Sequence, residues 1–238
     1  MHPRGCGLAS HLGVVAGIPT IGVAKKLLEV DGVGREAAEA ILAADYRPPA
    51  KRGDLLRAAE DGAAIIGLID GVFHQESAVA HREILAAVKK GVKVVGASSM
   101  GALRAAEMDT LGMTGIGEIY RMYKSGELIS DDEVALVFDP ETGLSLSEPL
   151  INIRFTLAAA AKQGVISAGE QASLLASAQS LFYPQRTYSR IASAAGDPVT
   201  PACRERFLSF TSLHAVDRKR EDAVEALRYI ARISREEQ

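Results

Sequence analysis

The residues best suited to chemistry lie within residues 92–108, where a β-branched run passes through Gly96 and two serines into strong helix formers. This pattern predicts a strand, a tight turn and a helix that starts near Ser99. Unpaired backbone N–H groups and the positive end of the helix dipole favour an anion or a developing oxyanion there. Ala97 and Gly101 are small enough to allow the turn. The stretch is a candidate for nucleophilic catalysis by serine, with a βα turn that carries no chemistry as the alternative.

The turn resembles the nucleophile elbow G-x-S-x-G of serine hydrolases, with Ala97 in place of the first glycine. Arg104 follows the serine by about one helical turn. Its side chain can point to an anionic group bound at the helix start, or it can pair with Glu107, three residues further along the same helix.

An acid and two histidines are expected near the same place. Asp70 ends an apolar run, His74 follows in a loop, and His81 stands about one turn into the next helix. Because ligands of open parallel sheets bind at the carboxyl ends of the strands, Asp70 and Ser99 should share one edge. Acid, histidine and serine are the groups of base-activated nucleophilic catalysis. The alternatives are a packed core role for His81 and a turn-forming role for Asp70.

The elements that position these residues form a repeating strand–helix pattern. Residues 63–69 are almost continuously apolar, as expected for a strand covered on both faces. A helix that Ser77 can cap runs to about Lys90, and the strand that leads to Ser99 follows at once. A right-handed crossover makes the two strands parallel.

We therefore predict an α/β fold, with a small parallel sheet of βαβ units and flanking helices, followed by a mainly helical C-terminal part. Residues 111–117 are predicted to be a glycine-punctuated loop. The predicted division of the chain is 1–35, which adds a strand to the sheet, 36–160, the α/β core, and 161–238, the helical C-terminal region.

Composition narrows the functional class of this 238-residue chain. The net charge is -3 and the basic residues are scattered, so charge does not predict nucleic-acid binding. Cys6 and Cys203 form no metal or redox motif and suit a reducing compartment. No apolar run reaches membrane-spanning length, and no signal-peptide pattern precedes the core. We expect a cytoplasmic protein without a membrane segment.

The N-terminal residues carry a local resemblance. Residues 2–13 and 18–26 are similar to an internal segment of endonuclease V. The part of that family that carries its metal-binding carboxylates would precede residue 1, so we do not expect a nuclease or a metal site. Residues 1–35 are interpreted as a remnant of that family.

A longer and more specific resemblance covers about residues 36–191. Its most specific part is the string Ser-Met-Gly-Ala-Leu-Arg-Ala-Ala-Glu at residues 99–107. Through this string the chain resembles the TfuA-like family. Further matching stretches are residues 67–73, 78–85, 96–107, 131–135, 147–149 and 186–188.

The TfuA-like resemblance implies a partner of a YcaO enzyme, which converts a backbone amide of a peptide or protein into a thioamide. Such proteins accompany the biosynthesis of ribosomal peptide natural products and the thioglycine modification of methyl-coenzyme M reductase. The implied role is delivery of sulfide, by hydrolysis of a thiocarboxylated sulfur carrier of the ThiS type, together with recruitment of the YcaO enzyme. The alternative is a non-catalytic protein that recruits or activates the YcaO enzyme.

In the catalytic scheme Ser99 attacks the thiocarboxylate, and no organic cofactor or metal is needed. His81 is the preferred base with His74 in reserve, and Asp70 orients the base. The other expected site residues are Met100 and Gly101 for the oxyanion, Arg104 for the thiocarboxylate or the carrier tail, and Ser98, Glu83 and Glu107 in support.

Overall fold

The computed structural model describes residues 12–16, 20–21, 35–47, 50–71, 78–137 and 145–236. These residues divide into two compact units. The sheet unit contains the described residues up to Asp131 and those from Lys219 onward, and the helical unit contains Asp132–Val137 and Ser145–Arg218.

The sheet confirms the predicted α/β class. Its strands are β1 (Leu12–Ala16), β2 (Thr20–Ile21), β3 (Tyr46–Arg47), β4 (Ala63–Leu68), β5 (Lys93–Ala97) and β6 (Thr114–Ile116). Strands β4, β5 and β6 are parallel neighbours, and β2 also pairs with β4 in parallel. Strand β1 lies antiparallel between β3 and β4.

Ten α-helices surround the sheet or form the helical unit. They are α1 (Arg35–Ile41), α2 (Asp54–Glu60), α3 (His81–Lys89), α4 (Met100–Met108), α5 (Glu118–Ser125), α6 (Leu150–Lys162), α7 (Ala168–Ser180), α8 (Tyr188–Ala194), α9 (Pro201–His214) and α10 (Arg218–Arg235), all within the described part of the chain.

The central strands are buried on both faces, as their apolar runs predicted. Ile66 and Val94 pack with residues of α2, α3 and α4 on one face. Ile65 and Val95 pack with residues of α1 and α10 on the other. Neighbouring side chains of a strand point to opposite faces, so each strand contributes to both cores.

Two elements differ from the sequence-based expectation. Residues 111–117, predicted to be a loop, contain β6, whose three residues pair with β5 from Val95 to Ala97. The N-terminal region contributes an antiparallel strand, β1, in addition to β2. Both strands are short, and their pairing partners rather than local propensity explain them.

The helical unit consists of α6 to α9 around a separate apolar core. Cys203 is buried in that core, and burial, followed by the hydrogen bond with Glu170, raises the pKa of its thiol to about 11. The thiol is therefore protonated at neutral pH and unreactive. Among the described helices of both units, none combines the length and the hydropathy needed to cross a membrane.

Candidate functional site

The turn between β5 and α4 has the predicted strand–turn–helix form, but its strained residue is Ser98. Ser98 has a φ of 67°, the left-handed region that a non-glycine residue rarely adopts. Its side chain is fully buried, and its Oγ donates a hydrogen bond to the carbonyl oxygen of Lys219 at 2.8 Å. Ser98 was predicted only to support the site. In the structure it is the residue whose left-handed backbone forms the turn and whose side chain bonds to α10.

Ser99 is the N-cap residue of α4 and has a different environment. Its side chain is also fully buried, yet among the residues that the structure describes its Oγ has no hydrogen-bond partner. A buried hydroxyl without a partner is destabilising, so its presence points to a use other than stability.

The helix start packs directly on the end of β4. The N–H groups of Ser99 and Gly101 both donate to the carbonyl oxygen of Ile69, at 3.2 and 3.1 Å. A Cβ atom on Gly101 would lie 1.8 Å from the carbonyl oxygen of Leu68. Gly101 is therefore required for this close contact, and its N–H, expected to bind the oxyanion, is already used.

Among the described residues, Asp70 contacts a backbone N–H and a lysine, and the loop that contains His74 lies outside them. Its Oδ1 accepts a hydrogen bond from the Gly71 N–H at 2.7 Å, and its Oδ2 lies 3.7 Å from Lys219 Nζ. Both side chains are almost completely buried. The lysine that pairs with Asp70 was not among the predicted site residues. One signal was available, because residues 218–220 are all basic at a helix N-terminus, where the helix dipole disfavours positive charge.

The first turns of α10 contact residues that follow the carboxyl ends of β4, β5 and β6. Lys219 contacts Ser98 after β5 and Asp70 after β4. Asp222, which is also buried, accepts a hydrogen bond at 2.7 Å from the Ile119 N–H at the start of α5, after β6. This edge, where parallel sheets usually bind ligands, is therefore partly occupied by the chain itself.

His81 lies in the first turn of α3 and pairs with a residue of α4. Its Nε2 is 2.7 Å from Glu107 Oε2. The same carboxylate oxygen accepts a hydrogen bond from the Arg104 guanidinium at 2.5 Å, and Arg104 Nε donates to the Val79 carbonyl oxygen at 3.0 Å. Glu107 thus has the orienting position expected of Asp70. The other candidate base, His74, lies outside the described residues.

The side chains of His81 and Glu107 line a pocket of about 590 Å³. The lining also includes Met100, the residue after Ser99, and the polar residues among the lining include His81, Arg104 and Glu107. The volume falls in the range of small-molecule sites, about 300–1,000 Å³. The pocket therefore lies next to the buried serine turn. Its lining carries both positively and negatively charged side chains.

Glu83, expected in support, has a structural role. Its two carboxylate oxygens accept hydrogen bonds from the N–H of Ala80 at 2.6 Å and from the N–H of Gly53 at 2.8 Å. It thereby joins the starts of α2 and α3 beside the pocket. In the described part of the chain, no three histidine, cysteine, aspartate or glutamate side chains are grouped so that they could hold a metal ion.

The chain matches two different family models, and the boundary between the two matches lies near the end of β4. Residues 70–187 match the family model of TfuA-like proteins. Residues 1–66 match the family model of endonuclease V. Both predicted resemblances are confirmed with changed limits, because the TfuA-like match begins at residue 70 and the endonuclease V match extends past the first thirty residues. The serine turn and the pocket residues from Ala78 to Asp131 lie within the TfuA-like match.

The curated relatives of the N-terminal part are endonuclease V proteins. That of Azotobacter vinelandii is 51% identical over 57 residues, which are 24% of this chain and 24% of the relative. That of Homo sapiens is 40% identical over 68 residues, 29% of this chain and 23% of the relative. That of Thermococcus kodakarensis is 74% identical over 27 residues, 11% of this chain and 14% of the relative. The chain matches at most about a quarter of the length of these relatives.

Proposed function

We propose that this chain acts with a YcaO-type enzyme in thioamidation of a peptide backbone and that it supplies sulfide by hydrolysing a thiocarboxylated carrier of the ThiS type. The TfuA-like match over residues 70–187 supports the general association with thioamidation. The observation that carries the hydrolytic step is the Ser99 hydroxyl, which is buried and has no hydrogen-bond partner among the described residues, at the start of a nine-residue helix beside a charged pocket.

The reaction proceeds in two balanced steps. The Ser99 oxygen bonds to the thiocarboxylate carbon while its proton passes to the base, and the base gives that proton to the sulfur as the C–S bond breaks, so that hydrosulfide leaves. Water then attacks the resulting ester, which frees the Ser99 hydroxyl and leaves the carrier with a C-terminal carboxylate and one proton released to solvent. The net change is thiocarboxylate plus water to carboxylate, hydrosulfide and a proton.

The pocket residues have distinct parts in this scheme. His81 is the base, and the Glu107 carboxylate holds its imidazole through the 2.7 Å contact. The Arg104 guanidinium lies on the pocket wall and attracts the anionic carrier end. The Met100 N–H stabilises the oxyanion, since the Gly101 N–H already bonds to Ile69.

The test compares the two adjacent serines. Purified protein is incubated with a thiocarboxylated ThiS-type carrier, and sulfide release is measured for the wild type, Ser99→Ala and Ser98→Ala. Ser99→Ala should abolish release with little change in stability, because its Oγ makes no hydrogen bond to a described residue. Ser98→Ala should lower the free energy of unfolding by about 1–3 kcal/mol, because it leaves the buried Lys219 carbonyl without its donor.

The outcomes separate the interpretations. If Ser98→Ala rather than Ser99→Ala abolishes release while the protein stays folded, Ser99 is not the nucleophile. If both variants and the wild type release sulfide only at the background rate, the chain is not a hydrolase of this carrier.

One observation favours a second candidate, a non-catalytic partner of the YcaO enzyme. The N–H groups of Ser99 and Gly101 both bond to Ile69, as they would in a turn that serves packing alone. This candidate requires that the chain stimulates thioamidation by the YcaO enzyme with free sulfide and that Ser99→Ala stimulates it equally.

A further inference from the structure

One side of the pocket is formed by an exposed apolar residue. Ile129 has 89% of its surface exposed and lines the pocket together with Ser130 and Asp131. A single exposed aliphatic side chain is common on protein surfaces, but this one lies at the edge of a charged cavity, where a partner that enters the cavity would cover it.

The backbone around Ile129 is held so that the side chain stays outside. The preceding Leu128 is buried, and its N–H donates to the Met122 carbonyl oxygen at 3.1 Å. The following Ser130 accepts a hydrogen bond from the Tyr123 hydroxyl at 2.8 Å through its carbonyl oxygen. Withdrawing Ile129 into the protein would break these contacts, so its exposure is built into the segment.

The size of the pocket limits what enters it. A volume of about 590 Å³ accommodates a short stretch of extended chain but not a folded domain. The body of any protein substrate must then remain outside, at the mouth where Ile129 stands. The pocket lining includes the basic residues Arg52, His81 and Arg104 beside the acidic residues Glu107 and Asp131. Its guanidinium groups suit a chain that ends in a carboxylate or thiocarboxylate.

We propose that Ile129 and the pocket form one docking surface for the sulfur carrier, in which an apolar patch on the folded carrier covers Ile129 and the anionic C-terminal tail enters the pocket. This inference rests on the proposed function for the identity of the carrier. Ile129 acts on substrate binding and takes no part in the chemical step.

The experiment measures binding separately from hydrolysis. A ThiS-type carrier with an ordinary C-terminal carboxylate is titrated into the full chain by calorimetry, for the wild type, Ile129→Ser and Leu213→Ser. Leu213 is the matched control, because it is also strongly exposed, at 78%, but belongs to the helical unit. Ile129→Ser should weaken binding roughly 10- to 100-fold, the loss expected for one buried aliphatic anchor, while Leu213→Ser leaves Kd unchanged.

Steady-state kinetics of sulfide release give a second measurement, which tests the hydrolase proposal separately from the docking proposal. With thiocarboxylated carrier, Ile129→Ser should raise KM and leave kcat unchanged. Equal Kd values for all three proteins, or no carrier binding by the wild type, would overturn the docking proposal. Ile129-dependent binding without sulfide release by the wild type would overturn the hydrolase proposal and retain the docking surface.

Discussion

At the scale of single residues, Asp70 and Glu107 each have a partner that the sequence did not predict. Asp70 lies beside the buried Lys219 ammonium at 3.7 Å, and Glu107 lies beside His81 at 2.7 Å. Removing one partner of a buried charge pair is strongly destabilising, because the other charge stays buried without compensation. Pairing at a pocket wall orients a titratable group. We therefore propose that Asp70 stabilises the framework and that Glu107 acts at the site.

Replacing each acid by its amide distinguishes these parts. Asp70→Asn removes the charge beside Lys219 and should lower the free energy of unfolding by about 3 kcal/mol. Glu107→Gln should leave stability nearly unchanged and lower kcat for sulfide release by roughly 10- to 100-fold, because the imidazole loses its carboxylate partner. Urea unfolding and steady-state kinetics on the same preparations measure both quantities. A larger fall in kcat for folded Asp70→Asn than for Glu107→Gln would restore Asp70 as the orienting acid.

At the scale of elements, the contact between β4 and the start of α4 sets the geometry of the serine turn. The helix approaches so closely that Gly101 lies against the backbone of Leu68, with no room for a side chain. The two hydrogen bonds to Ile69 keep the helix start at this distance. The turn therefore depends on a glycine within a helix, where glycine is intrinsically unfavourable.

Gly101→Ala should destabilise the protein by at least about 3 kcal/mol, since rigid backbone rather than a flexible side chain must move. Gly196→Ala is the matched control, because a Cβ there meets no atom within 4 Å. It should change the free energy of unfolding by less than about 0.5 kcal/mol. Thermal unfolding of both variants measures the difference, and equal Tm values would contradict the close packing described for α4.

Much of the element pattern was predictable because it depends on local sequence. The apolar run that forms β4 and the serine turn before α4 were located within one or two residues of their observed limits. Strand β6 was missed, since a three-residue strand with Gly115 at its centre has no local signal and becomes a strand only by pairing with β5. The His81–Glu107 pair depends on how α3 and α4 pack, and Lys219 is far from Asp70 in the chain. No spacing rule relates such residues.

At the scale of the whole molecule, α10 follows the helical unit in the sequence but belongs to the sheet unit. Leu227, Ile230 and Ile233 are buried against the face of the sheet that includes Ile65 and Val95. Burial of such aliphatic side chains contributes roughly 1.5–3 kcal/mol each. The sheet unit therefore depends on residues from both sides of the helical unit in the sequence.

A chain that ends at residue 217, and so lacks α10, should lose the sheet unit while α6 to α9 stay folded. Hydrogen exchange followed by mass spectrometry measures this, with loss of amide protection expected in β4 and β5 and retained protection in α6. A chain that ends at residue 236 keeps α10 and is the control. Equal protection of β4 in the two chains would show that α10 is dispensable for the sheet.

The late position of α10 also orders events during synthesis on the ribosome. The helical unit is complete in sequence at Arg218, whereas the sheet unit still lacks α10, which together with α1 covers one of its faces. The nascent chain therefore exposes part of one apolar face of β4 and β5 until translation has passed residue 233. During that interval the newly made protein depends on chaperone binding or rapid elongation to avoid aggregation.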